Sequence, residues 1–364
     1  MHRLPAFPWD SLVPARQRAA QHPDGPVDLS IGTPVDRVPL PVRRALGDAS
    51  DCPGYPTVHG TADLREAYSS WLARAHGVPN VDPQAVLPTI GSKELVASLP
   101  TQLGLGSGDI VVIPEIAYPT YEIGALMAGA TPLRADSLTA IGPDRVSMVW
   151  LNSPSNPTGR VLPPEHLAKV VAWARSRGVI VASDECYIDL GWDVTPVSIL
   201  HPEVCGGDFT GLLAVHSLSK RSNMAGYRAG FVSGDPDLVA GLVALRRHLG
   251  AIVPTPIQAA AAASLADDGH VLAQRSRYKN RRKTLIDAFE AAGVQAESDA
   301  GLYLWCTRGE PAMQSVEWLA GLGIIVAPGS MYGPAGSQHF RVAVTATDER
   351  VEAAAERLRA GRRR

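Results

Sequence analysis

Short apolar runs alternate with amphipathic stretches between residues 62 and 254. The runs are almost continuously apolar, which is typical of strands covered on both faces, and they span residues 86–90, 110–113, 148–151, 179–183, 212–216 and 230–233. Residues 62–76 and 165–177 instead repeat apolar side chains every three or four positions, as helices do. This strand–helix–strand repetition predicts an α/β fold with a mostly parallel sheet and right-handed crossovers.

The pattern changes near residue 254. A long helix rich in Arg and Lys, three short strands and a last helix are predicted in turn at 270–292, 302–306, 324–326, 339–344 and 348–358. We therefore predict a large domain over 41–254 and a smaller α+β domain over 255–364. Residues 1–40 show little periodicity, and we expect this N-terminal segment to pack with the small domain.

Composition and charge narrow the function classes. Of 364 residues, 45% are hydrophobic, which is enough for a large core, and 34 basic against 36 acidic side chains leave a net charge of −2. This balance gives no electrostatic case for a nucleic-acid or membrane partner. No window approaches the ~20 apolar residues of a membrane span, and residues 1–10 lack a long apolar core, so we expect no signal peptide there. We therefore expect a cytoplasmic protein with small-molecule substrates.

The cysteines and the C-terminus add little to this picture. No two cysteines have the spacing of a zinc or redox pair, so reduced thiols and no metal site are expected for Cys52, Cys186, Cys205 and Cys306. The final three residues, Arg362, Arg363 and Arg364, are expected to form a solvated tail.

A lysine beside two serines carries the strongest chemical signal. Lys220 follows the apolar run at 212–216, and Ser217 and Ser219 precede it, while Arg228 lies eight positions later. A lysine in this place can form an imine with an aldehyde cofactor, while the two hydroxyls and the guanidinium hold a phosphate. The amine must lose a proton to react, so we expect a desolvated site. A surface lysine is the alternative, but surface composition rarely produces this combination.

Polar residues also follow two other predicted strands. Asp184 comes directly after the run at 179–183, where its carboxylate could pair with the ring nitrogen of pyridoxal phosphate; Glu185 competes for this role, and a helix cap is a third interpretation. Tyr187 and Asn156 are candidate donors to the phenolate oxygen of the same cofactor. Asn156 lies in a Pro-rich loop after the run at 148–151, which could equally be a plain turn.

Further candidates complete the predicted site. Gly91, Ser92 and Lys93 follow the run at 86–90, and a helix that begins there would present free N–H groups to a phosphate, although a plain N-cap fits as well. Tyr118 could stack on the cofactor ring or belong to the core. Arg341 interrupts an apolar strand, so it requires an anion, either the α-carboxylate of a substrate or a structural partner.

Together these motifs resemble the fold-type I pyridoxal-phosphate-dependent aminotransferases of class I/II. The resemblance extends from Ile31-Gly32-Thr33-Pro34 to Arg341, and the interval of 36 residues between Asp184 and Lys220 agrees with it. It implies pyridoxal 5'-phosphate as cofactor and a mostly parallel seven-stranded sheet between helices in the large domain. It also implies a homodimer with shared active sites, in which Tyr55 reaches the phosphate of the neighbouring subunit. Gly32 would contact the substrate carboxylate through its backbone.

Three segments indicate a particular substrate. Residues 7–10, 219–230 and 327–333 resemble the actinobacterial N-succinyldiaminopimelate aminotransferases of lysine and diaminopimelate biosynthesis. That resemblance implies reversible transfer of an amino group from glutamate to N-succinyl-2-amino-6-oxopimelate, with Lys220 moving the α-proton. A succinylated substrate carries extra carboxylates, and Arg37, Lys93 and Arg247 are candidates to bind them.

The same motifs also fit other enzymes that use this cofactor. The chain could be an aspartate, aromatic or branched-chain aminotransferase, or a carbon–sulfur lyase that uses the same cofactor. A regulator built on this fold would need a DNA-binding segment, and none of that size precedes Pro34. A nucleotide binder is disfavoured because the glycine run at 104–108 precedes a strand instead of following one.

Overall fold

The computed structural model of the chain describes residues 4–142 and 145–361, so the predicted basic tail at 362–364 lies outside the described residues. Within those limits the chain forms fourteen α-helices. They are α1 (Val13–Ala19), α2 (Leu40–Asp48), α3 (Ala62–His76), α4 (Ser92–Gln102), α5 (Thr120–Ala128), α6 (Leu138–Ile141), α7 (Pro164–Arg175), α8 (Pro202–Cys205), α9 (Leu218–Arg221), α10 (Pro236–Leu249), α11 (Thr255–Leu265), α12 (Gly269–Ala291), α13 (Ala312–Gly321) and α14 (Asp348–Gly361). No helix in this part of the chain combines the length and apolar character needed to cross a membrane.

The same ranges contain thirteen strands and five short 3₁₀ helices. The strands are β1 (Val27–Asp28), β2 (Val86–Ile90), β3 (Ile110–Ile113), β4 (Thr131–Arg134), β5 (Val146–Asn152), β6 (Ile180–Asp184), β7 (Leu212–Ser217), β8 (Ala229–Gly234), β9 (Gln295–Glu297), β10 (Tyr303–Thr307), β11 (Ile324–Ile325), β12 (Ala327–Pro328) and β13 (Phe340–Ala343). The 3₁₀ helices are Pro8–Leu12, Pro83–Ala85, Ala225–Tyr227, Gly329–Tyr332 and Pro334–Gly336.

A seven-stranded sheet forms the centre of the fold, in the order β2-β8-β7-β6-β5-β3-β4. Strand β8 runs opposite to the other six, which all share one direction, so the predicted mostly parallel α/β sheet is confirmed. Successive strand residues face opposite layers, as the period of a strand requires. Val149 packs in the core with α3 and α7, for example, whereas Trp150 packs in the core with α4 and α10. Helices on both faces explain why the strand runs are almost continuously apolar.

Two smaller sheets accompany the C-terminal half of the chain. Strands β12, β13, β10 and β9 form an antiparallel sheet, and β1 pairs in parallel with β11. The N-terminal segment is thereby tied to this part, because Val27 lies opposite Ile324 and Leu12 packs in the same core as Leu285 and Leu358. The predicted division into domains stays a prediction. Helix α11 directly follows the expected boundary at 254, yet its Ala260 packs in the core of the central sheet.

The central sheet also decides where polar groups gather. Strands β5, β6 and β7 are adjacent and parallel, so their carboxyl ends meet at one edge. Asn152 and Asp184 are register partners at that edge, and Ser217 ends the next strand. Ligands of open α/β sheets bind outside such strand ends.

Candidate active site

A cavity of about 530 Å³ lies at this edge of the sheet. The predicted site residues that line it are Gly32, Ser92, Lys93, Tyr118, Asn156, Asp184, Tyr187, Ser217, Ser219, Lys220, Arg228 and Arg341. Two other candidates lie elsewhere: Gly91 packs against the Arg228 guanidinium, and Tyr55 is fully exposed. Most of the predicted set therefore converges on one space, although the individual roles stay predictions.

Lys220 lies in the short helix α9 and faces the cavity. Its Nζ donates a hydrogen bond to the carbonyl oxygen of Gly32, in the N-terminal segment. Burial lowers the pKa of the Lys220 ammonium, and the nearby cations Arg341 and Arg228 lower it further. This is the environment that a reactive amine requires, since only the neutral form can attack a carbonyl or accept a proton.

Asp184, and not Glu185, faces the cavity. Its Oδ2 accepts a hydrogen bond from the Tyr121 hydroxyl (2.8 Å), and its Oδ1 accepts one from the Cys186 backbone N–H (3.2 Å). Burial raises the pKa of the Asp184 carboxyl, while these donors oppose the rise. A carboxylate held in this way is ready to pair with a cationic group inside the cavity.

Glu185 belongs to a different network. It is buried on the other side of the strand end, where its Oε1 accepts from the backbone N–H of Ile199 (2.7 Å). Its Oε2 lies 3.0 Å from Nε2 of the buried His216. Tyr68 extends this network, because its hydroxyl is 2.7 Å from His216 Nδ1. Glu185 is thus a structural partner beside the cavity.

Hydroxyls and one guanidinium form an anion cradle, which we define as Ser92, Ser217, Ser219 and Arg228. The Ser217 hydroxyl donates to the Ser219 hydroxyl (3.0 Å) and accepts from the Ser219 backbone N–H (3.2 Å). Arg228 has a left-handed backbone with φ of +60°, which costs a non-glycine residue about 1 kcal/mol or more. Residues held in such conformations cluster at functional sites.

The close approach of Arg228 requires a glycine at position 91. A Cβ atom on Gly91 would lie 2.1 Å from Arg228 Nη2, and the residue has a φ of +71°. Helix α4 begins at the next residue, so Ser92 presents its N–H at a helix N-terminus that faces the cavity. The sequence prediction of an anion site at 91–93 and the one at 217–228 therefore describe the same place.

Phenolic side chains cover another wall of the cavity. The hydroxyls of Tyr187 and Tyr303 are 3.3 Å apart, and both rings line the cavity. Burial raises the pKa of Tyr187 well above its usual range and the pKa of Tyr118 to about 12. Both residues therefore keep their protons at neutral pH and can act as hydrogen-bond donors.

Arg341 is 2% exposed and lacks an anionic partner among the described residues. Its Nη1 donates to Asn156 Oδ1 (2.8 Å) and its Nη2 to the carbonyl oxygen of Ser30 (2.6 Å). Its guanidinium carbon lies 3.9 Å from the centre of the Tyr303 ring, while its Nε has no hydrogen-bond partner. Because both acceptors are uncharged, the cavity offers an uncompensated buried cation that suits a carboxylate ligand.

The sequence interpretation gave no site role to several residues that line the cavity, although some of them lie in the segments that carry the family resemblance. They are Phe7, Trp9, Arg16, Ile31, Thr33, Val96, Tyr121, Cys186, Ala225 and Tyr303. Two of them are close in sequence to predicted site residues, since Cys186 follows Asp184 by two positions and Tyr121 follows Tyr118 by three, across the start of α5. Arg16 and Tyr303 have no such neighbour in the sequence, and they reach the cavity only through tertiary packing.

A doubly covered sheet with such a cavity at its carboxyl edge agrees with the fold-type I pyridoxal-phosphate-dependent enzymes that the sequence motifs resemble, and a solved aminotransferase has the same fold. The family model "Aminotransferase class I and II" matches residues 24–358. The chain belongs to this family and is an aminotransferase, whose cofactor is pyridoxal phosphate and whose substrates are amino acids and keto acids.

Comparisons with known proteins agree with this assignment. The chain is 61% identical to a probable aminotransferase of Mycobacterium tuberculosis, over 98% of this chain and 85% of that protein. It is 56% identical to the 4-dedimethylamino-4-oxo-anhydrotetracycline transaminase OxyQ of Streptomyces rimosus, over 98% and 100%. It is 34% identical to an LL-diaminopimelate aminotransferase of Gloeobacter violaceus, over 99% and 97%. Among solved structures, the aminotransferase AspB of Helicobacter pylori superposes with a TM-score of 0.90 at 26% identity, covering 99% of both chains.

Proposed function

We propose that this aminotransferase acts on N-succinyl-LL-2,6-diaminopimelate and 2-oxoglutarate, giving N-succinyl-2-amino-6-oxopimelate and glutamate. The observation that supports it is the set of cations around one cavity: Arg341 has no anionic partner among the described residues, and Arg16 and Lys93 line the same space. The succinylated substrate carries three carboxylates, so it needs several cations beyond those that hold the cofactor. The diaminopimelate-specific relative at 34% identity is consistent with this substrate class.

The residues of the cavity fit pyridoxal phosphate. The cradle supplies donors for a phosphate, and Gly91 leaves the space that Arg228 occupies. Asp184 offers a buried carboxylate to a protonated ring nitrogen, and the pKa of Lys220 is lowered by burial. When bound, the cofactor supplies an aldehyde that reacts with amines and a ring that stabilises negative charge at the substrate α-carbon.

The chain's own residues perform the remaining tasks in this proposal. Neutral Lys220 accepts the α-proton of the amino donor at Nζ and later returns a proton from the same atom. Arg341 orients the α-carboxylate, assisted by Asn156, whose Oδ1 already accepts from this guanidinium. Since that oxygen is engaged, the Nδ2 group of Asn156 is left to donate into the cavity, as the Tyr187 hydroxyl also does.

A homodimer with shared sites is part of the same proposal. Tyr55 is fully exposed and does not reach the cavity of its own chain. This placement is consistent with the role implied by the resemblance, in which the tyrosine binds the phosphate of the neighbouring subunit. Light scattering should show a dimer, and Tyr55→Phe should weaken cofactor affinity several-fold only if the subunits share their sites.

The substrate assignment is tested with the purified holoenzyme. Glutamate first converts the bound cofactor to its aminated form. The rate at which a keto acid returns the cofactor to its aldehyde form is then measured. The keto acids compared are N-succinyl-2-amino-6-oxopimelate, oxaloacetate, and aromatic and branched-chain keto acids. The succinylated keto acid should give the highest kcat/KM. A tenfold preference for any of the others would overturn the proposal, and release of ammonia and pyruvate from cystathionine without an acceptor would indicate a carbon–sulfur lyase.

A second candidate substrate is a polycyclic ketone like that of the 56% identical transaminase. The observation in its favour is the aromatic pair Phe7 and Trp9, whose stacked rings are 5.6 Å apart and line the cavity. A flat ring system packs well against such a surface. The same assay, with a 4-oxo-anhydrotetracycline in place of the keto acid, distinguishes this candidate from the first.

A further inference from the structure

Two arginines of the cavity wall meet at Ser30. Arg341 donates from Nη2 to the Ser30 carbonyl oxygen (2.6 Å), and Arg16 donates from Nη2 to the Ser30 hydroxyl (3.1 Å). Arg16 comes from α1 and Arg341 from β13, so the fold brings together two guanidinium groups that are 325 positions apart in the chain. Both side chains line the same cavity.

Asp28 fixes the position of Arg16. Its Oδ2 accepts from Arg16 Nη1 (2.7 Å), while its Oδ1 accepts from the Ser30 backbone N–H (2.8 Å) and the Ser30 hydroxyl (2.6 Å). Arg16 uses only two of its five N–H groups in these bonds, and its side chain is 36% exposed. The guanidinium is therefore held in place with donors still available to a ligand.

The other cations of the cavity are already assigned or adjoin the anion cradle. Lys220 is the reactive amine, and Arg228 belongs to the anion cradle beside Gly91. Lys93 follows Ser92 in the first turn of α4, next to the same cradle. Arg37 and Arg247, which the sequence offered as candidates, do not line the cavity. Among the described residues, Arg16 is the remaining cation on the N-terminal side.

We infer that Arg16 binds a second, remote carboxylate of the substrate while Arg341 binds the α-carboxylate. This makes Arg16 a specificity-determining residue and defines the substrate class as an amino acid whose side chain ends in a carboxylate. The inference rests on the proposed function and assigns one of its contacts. Phe7 and Trp9 lie just before α1 on the same wall, where they offer an apolar surface to the methylene chain between the two carboxylates.

The test uses simple acids as probes of the holoenzyme. Pimelate has two carboxylates and heptanoate has one on a chain of equal length, and their dissociation constants are measured by calorimetry. The wild-type protein should bind pimelate roughly ten- to a hundredfold more tightly, as expected for a charge-assisted bidentate contact. Arg16→Met should abolish this preference without changing the affinity for heptanoate.

A matched control lies two residues along the same helix. Arg18 is exposed and does not line the cavity, so Arg18→Met should keep the preference for pimelate. If Arg16→Met does not fold, as judged by circular dichroism, Arg16→Lys keeps the charge without the planar fork and should reduce the preference several-fold. Retention of the full preference in either folded Arg16 variant would overturn the inference.

Steady-state kinetics separate this inference from the proposed function. With N-succinyl-LL-diaminopimelate, Arg16→Met should raise KM roughly ten- to a hundredfold and leave kcat nearly unchanged, because the contact lies away from the reacting carbon. Failure of the wild-type enzyme to use this substrate would refute the proposed function alone, provided that the pimelate preference still depends on Arg16. Turnover of the substrate with an unchanged KM in Arg16→Met would refute the role of Arg16 alone.

Discussion

The two walls of the cavity are built in different ways. The wall that carries Asp184 and the anion cradle belongs to the carboxyl ends of central strands, and its side chains bond to backbone groups and to one another. The opposite wall carries Phe7, Trp9 and Arg16 from the N-terminal segment, and its side chains are partly exposed. We therefore expect the first wall to determine the type of reaction, and the second to determine the substrate preference without affecting the core.

The largest effect is expected from the reactive amine. Lys220→Ala should reduce transamination by at least about a thousandfold, because the amine that we propose to move the α-proton is lost. The fold should survive, since the only hydrogen bond of this amine to a described residue goes to the Gly32 carbonyl. Turnover is measured with glutamate as donor. Lys283→Ala is the matched control and should retain most of the activity, because this exposed lysine of α12 pairs with Asp287 and does not line the cavity.

Two adjacent carboxylates provide the next test. Asp184→Asn should reduce kcat by roughly a hundred- to a thousandfold, because it removes the charge that faces the cavity. Glu185→Gln should instead lower the free energy of unfolding by about 3 kcal/mol, because it breaks a buried pair with His216. Denaturant titration and kinetics on both variants measure the two effects. If Glu185→Gln remains folded but loses as much activity as Asp184→Asn, the division between a functional Asp184 and a structural Glu185 is wrong.

Glycine substitutions test the cradle itself. Gly91→Ala places a Cβ atom 2.1 Å from Arg228 Nη2, so the guanidinium must move, and we expect the affinity for pyridoxal phosphate to fall roughly tenfold or more. Gly104→Ala is the control, because Gly104 also has a positive φ, +77°, but a Cβ atom there would have no described neighbour within 4 Å. Equilibrium titration of the cofactor should distinguish the two. Equal losses would show that backbone strain, and not the cradle, causes the effect.

The smallest effect concerns pH. Without cofactor, Lys220 should titrate below an ordinary lysine, whose pKa is about 10.4, because burial and nearby cations disfavour its charged form. The neutral amine therefore accumulates as the pH rises through this lowered pKa. Arg341→Met removes one of the cations and should move the titration upward. NMR of ¹³C-dimethylated lysines measures both values, and an unchanged titration in Arg341→Met would argue against electrostatic coupling between the two residues.

Most of the central sheet could be predicted from the sequence. Six of its seven strands are apolar runs, and each predicted run overlaps an observed strand. The exception is β4, Thr131–Arg134, in which no residue is fully buried, whereas the other edge strand, β2, is almost wholly buried and was predicted. A strand that is not buried lacks the continuous apolar pattern by which the other six were predicted.

The site was only partly predictable for a related reason. Residues such as Asp184 and Lys220 follow strand ends, and parallel strands bring those ends together whatever the rest of the chain does. Arg16 and Arg37 look alike in the sequence, and only packing of α1 against the C-terminal part places the first of them in the cavity. The sequence therefore indicates the reaction better than the substrate.

The unusual backbone of Arg228 has a practical consequence for engineering. Glycine would relieve the conformational penalty at this position, so a screen that rewards only resistance to heat would tend to discard the side chain. An Arg228→Gly variant would therefore have higher thermal stability and lower catalytic activity. Attempts to raise the thermal stability of this enzyme should therefore leave position 228 unchanged and introduce substitutions on the outer surfaces of the helices.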